Sequence, residues 1–144
     1  MPIPNTITRT LDLAHPQDKV WGALATLDGI AGWFGDHADG EMAPGRDVEM
    51  RWDDNDMKAV LAIKVVDPMS VFAYSWGING APEGDPRRTY VEFALEPTSA
   101  GTRLTVTESG FAQLPDEWLE QAYQGNTEGW RAELGDLVAY LDAA

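Results

Sequence analysis

One carboxylate stands out for the chemistry it offers. In the run Thr102–Ser109, strand alternation puts Leu104, Val106 and Glu108 on one face, so Glu108 continues an apolar row. A carboxylate in such a row is solvated at an open end, paired with a cation, or protonated by desolvation. Three readings follow. Glu108 lines a pocket and orients the polar end of a ligand, it acts as a general acid or base, or it pairs with Arg9. Arg9 is the other ionisable residue on an inward face, and its strand is expected to lie antiparallel beside that of Glu108.

Around Glu108 an aromatic group is expected to converge: Trp33, Phe34, Trp52, Tyr74, Trp76, Tyr123 and Trp130. With Phe93, Val106 and Glu108 these form the candidate ligand-binding set. Large rings line an apolar cavity, with Tyr hydroxyl and Trp N–H groups as fixed donors, or they fill the space as core. Other chemistries lack their residues. With no cysteine there is no thiolate nucleophile and no disulfide framework. His15 and His37 have no partners at zinc spacing, and Asp53, Asp54 and Asp56 lack the loop glycine and distal Glu of a calcium loop, so no metal site and no cofactor are expected. No phosphate-loop glycines and no Gly-x-Ser-x-Gly elbow occur.

The elements that must position these groups can be read from periodicity. Residues 6–13 alternate Ile7, Arg9, Leu11 and Leu13 on one face, a half-buried strand. Pro16 opens a helix carrying Val20, Trp21, Leu24 and Leu27, with Asp18 in its first turn and a stop at Asp28-Gly29. Ile30–Phe34 is expected to add a second short helical piece. Strands follow at 46–52, 57–66, 71–78, 89–96 and 102–109, with turn chemistry at Asp53–Asp56, Asp67-Pro68 and Ser99–Gly101 and a long hairpin loop at 79–88. In the second of these strands Leu61, Ile63 and Val65 are expected inward. After Pro115, Tyr123, Trp130, Leu134, Leu137 and Leu141 recur at helical spacing, Asn126 or Thr127 filling the interval, behind the acidic opening Asp116, Glu117 and Glu120. Gly125 and Gly129 are expected to weaken the helix before Trp130. The expected architecture is α+β, a single domain over 1–144: a curved antiparallel sheet wrapped around one long C-terminal helix, with two short helices after the first strand.

Several of these stretches resemble the SRPBCC (START-like, helix-grip) superfamily. They are Pro16-Gln-Asp-Lys-Val-Trp-Gly-Ala-Leu24 followed by Trp33, Gly40-Glu-Met-Ala-Pro-Gly45, Phe72-Ala-Tyr-Ser-Trp76, Gly101-Thr-Arg-Leu-Thr105, and the closing Gly129-Trp130 with Leu134, Leu137 and Tyr140-Leu141. They are similar to the subfamily named after the activator of the heat-shock protein 90 ATPase. The resemblance covers about residues 5–142 and implies the helix-grip fold. It also implies a choice of functions, since the superfamily includes lipid carriers, hormone receptors, polyketide cyclases and co-chaperones. The co-chaperone of the subfamily's name carries a further N-terminal chaperone-binding domain, for which 144 residues leave no room.

Charge narrows the partners. The sequence has 24 acidic and 10 basic residues, a formal net charge of -14. Such a surface repels phosphate backbones and anionic lipid, so neither nucleic acid nor membrane is an expected partner. Met1-Pro2-Ile3-Pro4-Asn5 has no signal-peptide character, and no apolar run approaches the roughly 20 residues of a membrane span. A cytoplasmic location is expected. The leading expectation is a binding protein for a small, largely apolar molecule held between sheet and helix. The alternatives are a polyketide cyclase- or dehydratase-like enzyme using Glu108 with Tyr74 or Tyr123, and a co-chaperone-like module whose acidic surface meets a protein partner.

Overall fold

The computed structural model describes residues 5–54, 56–77 and 85–143. Of the expected hairpin loop at 79–88, residues 79–84 lie outside the described residues, as does Asn55 of the acidic turn. Seven strands run β1 (Thr6–Leu13), β2 (His37–Gly40), β3 (Asp47–Trp52), β4 (Met57–Asp67), β5 (Val71–Gly77), β6 (Arg88–Thr98) and β7 (Gly101–Ser109). They form one curved antiparallel sheet in the order β1-β7-β6-β5-β4-β3-β2. Only β1 breaks sequence order, crossing to pair with β7. Helices α1 (Gln17–Leu24) and α2 (Leu27–Ile30) fill that crossing, and α3 (Asp116–Ala143) lies against the sheet's inner face.

The inner face is built by alternation. On β7, Thr102, Leu104, Val106 and Glu108 are all buried, and β6 supplies Thr89, Val91, Phe93 and Leu95 beside them. From α3, Trp130, Leu134, Leu137 and Leu141 close over this row, and one contiguous core results. Burying a Leu or Phe side chain contributes roughly 1.5–3 kcal/mol, so this seam between α3 and the sheet is a main source of stability.

Three local features differ from expectation, each for a physical reason. The α1 helix ends at Leu24 because Thr26 caps α2, its hydroxyl accepting from the Gly29 N–H at 2.9 Å. Asp28-Gly29 therefore lies inside α2 and does not terminate α1. Gly29 is needed there by close approach, since a Cβ would stand 1.9 Å from the Gly22 carbonyl oxygen. A bulge between Ile63 and Val65 shifts the β4–β5 register, so Val66, not Val65, is set beside Phe72 and packs on the core. The short strand β2 has almost no apolar alternation, and its place is decided by pairing with β3.

Candidate functional site

Glu108 is closed in, with 1 % of its surface exposed. Its Oε2 accepts from Trp76 Nε1 at 2.8 Å and from the Thr89 hydroxyl at 2.5 Å. Its Oε1 accepts from Trp130 Nε1 at 2.8 Å, and the Asn126 amide lies 3.0 and 3.1 Å from the two oxygens. The donors come from β5, β6 and α3, so one carboxylate ties three elements to β7. All four are neutral. An indole N–H can only donate, and a hydrogen bond to a charged acceptor is roughly twice as strong as a neutral one. Dipoles therefore hold this group, with no counter-charge among the bonding partners.

Arg9 takes no part in that cage. The β1–β7 register sets Ile7 opposite Glu108 and Arg9 opposite Val106, two residues further along the strand. The Glu108 side chain meanwhile turns toward Trp76 and Trp130. The expected Arg9–Glu108 pair is thus replaced by the neutral cage, and Arg9 Nε is buried without a hydrogen-bond partner.

The aromatic residues converge, and they converge on one another. Phe34, Trp76 and Trp130 form a triangle of rings in mutual contact, with Phe34 5.7 Å from Trp76 and 5.8 Å from Trp130 and the two indoles 5.9 Å apart, and Phe34 meets Trp52 edge to face (5.7 Å). Trp33 contacts Phe93, Phe93 contacts Trp130, and Tyr74 contacts Trp76 and Phe93. Val106 pairs with Phe93 in the same buried row. Tyr123 stands apart, its ring on Phe111 and its hydroxyl donating to the Thr6 carbonyl at 3.2 Å. The rings occupy the space between α3 and the sheet.

Open volume lies beside this stack. A cleft of about 570 Å³ runs between the segment 31–36, the β3–β4 turn and the second half of α3. Trp33, Phe34 and Trp52 from the expected set reach it, joined by Asp54, Glu133 and Tyr140. The segment 31–36 is held by the Trp33 indole, which donates to the Ala23 carbonyl at 2.7 Å. Gly32 brings it against α3, where a Cβ would stand 2.2 Å from the Tyr140 ring.

Besides Arg9, two side chains have a buried polar atom without a partner among the described residues: Glu133, which lines the cleft, and Tyr74, which does not. Glu133 is partly buried, and its Oε2 is sealed without a hydrogen-bond partner. Burial pushes its carboxyl up to about 7, and the negative charge of Asp136 one turn on adds to the shift. Tyr74 is fully buried with its hydroxyl unpartnered. Burial holds this phenol well above its usual range, and the charges of Glu108 and Glu133 push it further, so it stays O–H. Glu133 was not among the expected residues. Its signal was present, since Asn126, Trp130, Glu133 and Leu137 follow the alternating four-three spacing of the buried stripe.

A model of the family described as Activator of Hsp90 ATPase homolog 1-like protein matches residues 14–142. The chain belongs to this family. Comparison with curated proteins finds no match. Among solved structures, protein MLL2253 from Mesorhizobium loti is similar, with 26% identity, 96% of this chain and 98% of that one covered, and a TM-score of 0.82. DynU16, a protein of the dynemicin biosynthetic locus, has 23% identity over 97% of this chain and 48% of its own, with a TM-score of 0.79. CalU16 from Micromonospora echinospora has 21% identity over 94% of this chain and 74% of its own, with a TM-score of 0.68. The Hsp90-activator-like fold thus has the helix-grip architecture expected from the sequence. It is one consistent with small-molecule binding. No helix among the described residues is long and apolar enough to cross a membrane.

Proposed function

We propose that this Hsp90-activator-like domain binds a small, largely apolar molecule in the cleft beside α3 and exchanges a proton with it, as a cyclase or dehydratase would. The observation that carries this reading is Glu133, a carboxyl poised near neutrality on the wall of a cleft of molecular size. An acid or base works best when its pKa lies near the working pH. Tyr74 supplies a neutral O–H in electrostatic reach of the same carboxyl. In this reading Glu108 is a positioning residue. It holds Trp76 and Trp130 by their N–H groups and thereby sets the ring stack that floors the cleft. The fold neighbour DynU16 belongs to the dynemicin biosynthetic locus, so the fold occurs in a biosynthetic setting.

Thermal-shift screening against aromatic polyketides and other lipophilic metabolites tests the binding half. The expected result is compounds that raise the melting temperature of the wild type but not of Ala139→Trp, which fills the cleft from an exposed helix position. Turnover of such compounds should be lost in Glu133→Gln with binding retained. If no compound distinguishes the wild type from Ala139→Trp, the cleft is not the site. The family match favours a second reading, co-chaperone action through the acidic surface. It requires salt-sensitive binding to purified Hsp90 and faster ATP hydrolysis.

A further inference from the structure

The cleft's lining says more about its occupant than size does, and this inference rests on the reading of the cleft as a binding site. Among the described residues four carboxylates border it, Asp36, Asp54, Glu133 and Asp136, and no lysine or arginine does. One Asp36 oxygen is engaged by the Asp53 N–H at 2.7 Å. Among the described residues no group of three or more His, Asp or Glu side chains is placed to hold a metal ion, so these carboxylates do not converge on a point. They spread a negative potential over a cavity whose remaining walls are aromatic rings and small residues. Of the four, Glu133 is set partly into the wall, and its Oε2 is buried without a hydrogen-bond partner. A carboxylate accepts and cannot donate, so its partner must bring donors, and in this field that partner is best positively charged.

We infer that the cleft takes an organic cation, an amine carried on an aromatic or similarly flat apolar body, with its ammonium directed to the Glu133 carboxylate and its body between Trp52 and Tyr140. The ammonium donates three hydrogen bonds and forms a charge-assisted bond to the carboxylate. Aromatic faces favour cations as well as flat rings. A carboxylate or phosphate ligand would meet four like charges and no cationic side chain among the described residues that line the cleft. An ammonium at Glu133 supplies the donors that its carboxylate lacks. A buried polar atom without a partner is disfavoured by roughly 1–3 kcal/mol unless a ligand or water completes it.

Isothermal titration calorimetry at pH 8 with naphthylethylamine, naphthylethanol and naphthylacetate, matched in shape and different in charge, tests the inference. The amine should bind at least tenfold more tightly than the alcohol, and the acetate should not bind. In Glu133→Gln the amine should fall to the affinity of the alcohol, while the alcohol changes little. Equal binding of amine and alcohol by the wild type, with both lost in Ala139→Trp, would overturn the cation inference and leave the cleft as a binding site. Tightest binding of the acetate would do the same. Binding of the amine that survives Ala139→Trp unchanged would place it elsewhere and remove the reading of the cleft along with it.

Discussion

Two sets of buried polar groups lie among the aromatic rings, and they are satisfied to opposite degrees. Around Glu108, each carboxylate oxygen has two or more donors, and every donor comes from a different position in the chain. Around Tyr74 and Glu133, two buried oxygens have none. Both regions are anionic and both lie under α3. The difference separates two uses of a buried acid. A saturated carboxylate has no lone pair to spare, and its removal strands the donors around it. An unsatisfied one adds little to the fold and keeps its capacity for something that binds.

The largest expected effect therefore comes from the region that does not face the cleft. Glu108→Gln replaces an acceptor oxygen by an NH2 group that points donors at donors. It should destabilise the protein by about 3–5 kcal/mol, since more than one of the buried donors loses its acceptor at roughly 1–3 kcal/mol each. Chemical denaturation measures this directly, and a change below about 1 kcal/mol would show that the cage is not structural. Next comes Trp130→Phe, which keeps a ring in the stack but deletes one donor to Oε1. A loss of about 1–3 kcal/mol is expected, and Trp76→Phe should resemble it.

Glu133 should behave in the opposite way, with a pH dependence that gives it away. Its carboxyl titrates near 7 in the folded protein against 4.5 as the ordinary value. Below pH 4.5 both folded and unfolded chains hold the proton, and the stability tied to this group is fully present. As pH rises through 7 the folded protein gives up the proton only reluctantly, and that stability is lost. Glu133→Gln should thus be nearly neutral at pH 4.5 and more stable than wild type at pH 8. With solvent screening of this partly exposed group allowed for, the gain is about 1–2 kcal/mol. A gain that is the same at both pH values would contradict a cost that arises from ionising Glu133. The smallest effect belongs to Tyr74→Phe. It removes an unpartnered hydroxyl and should stabilise the protein by about 1 kcal/mol, the low end of what an unsatisfied buried group costs.

Much of this was legible in the sequence because strand and helix periods are short-range signals. Alternation placed Glu108 inward, and the stripe of Tyr123, Trp130, Leu134, Leu137 and Leu141 marked the face that α3 buries. Periodicity assigns a face but not a partner. Arg9 and Glu108 share the inner face, yet register separates them by two residues and a side-chain direction. The choice between cavity wall and core for the aromatic set was open for the same reason, since ring-to-ring contact depends on where α3 crosses the sheet. The Val65–Val66 exchange came from a bulge, which shifts the period by one residue without leaving a mark in composition. Glu133 was hidden by its charge. A carboxylate on an otherwise apolar stripe reads as an exposed flank until the opposing segment 31–36 is in place.

The separation of the two regions is tested most directly by a crystal structure of the protein grown with naphthylethylamine. The ring should lie in the cleft against Trp52 and Tyr140, with its nitrogen about 3 Å from the Glu133 carboxylate and the four donors still on Glu108. Density for the amine inside the sheet–helix space instead, with Trp130 displaced and its nitrogen on Glu108, would contradict the account.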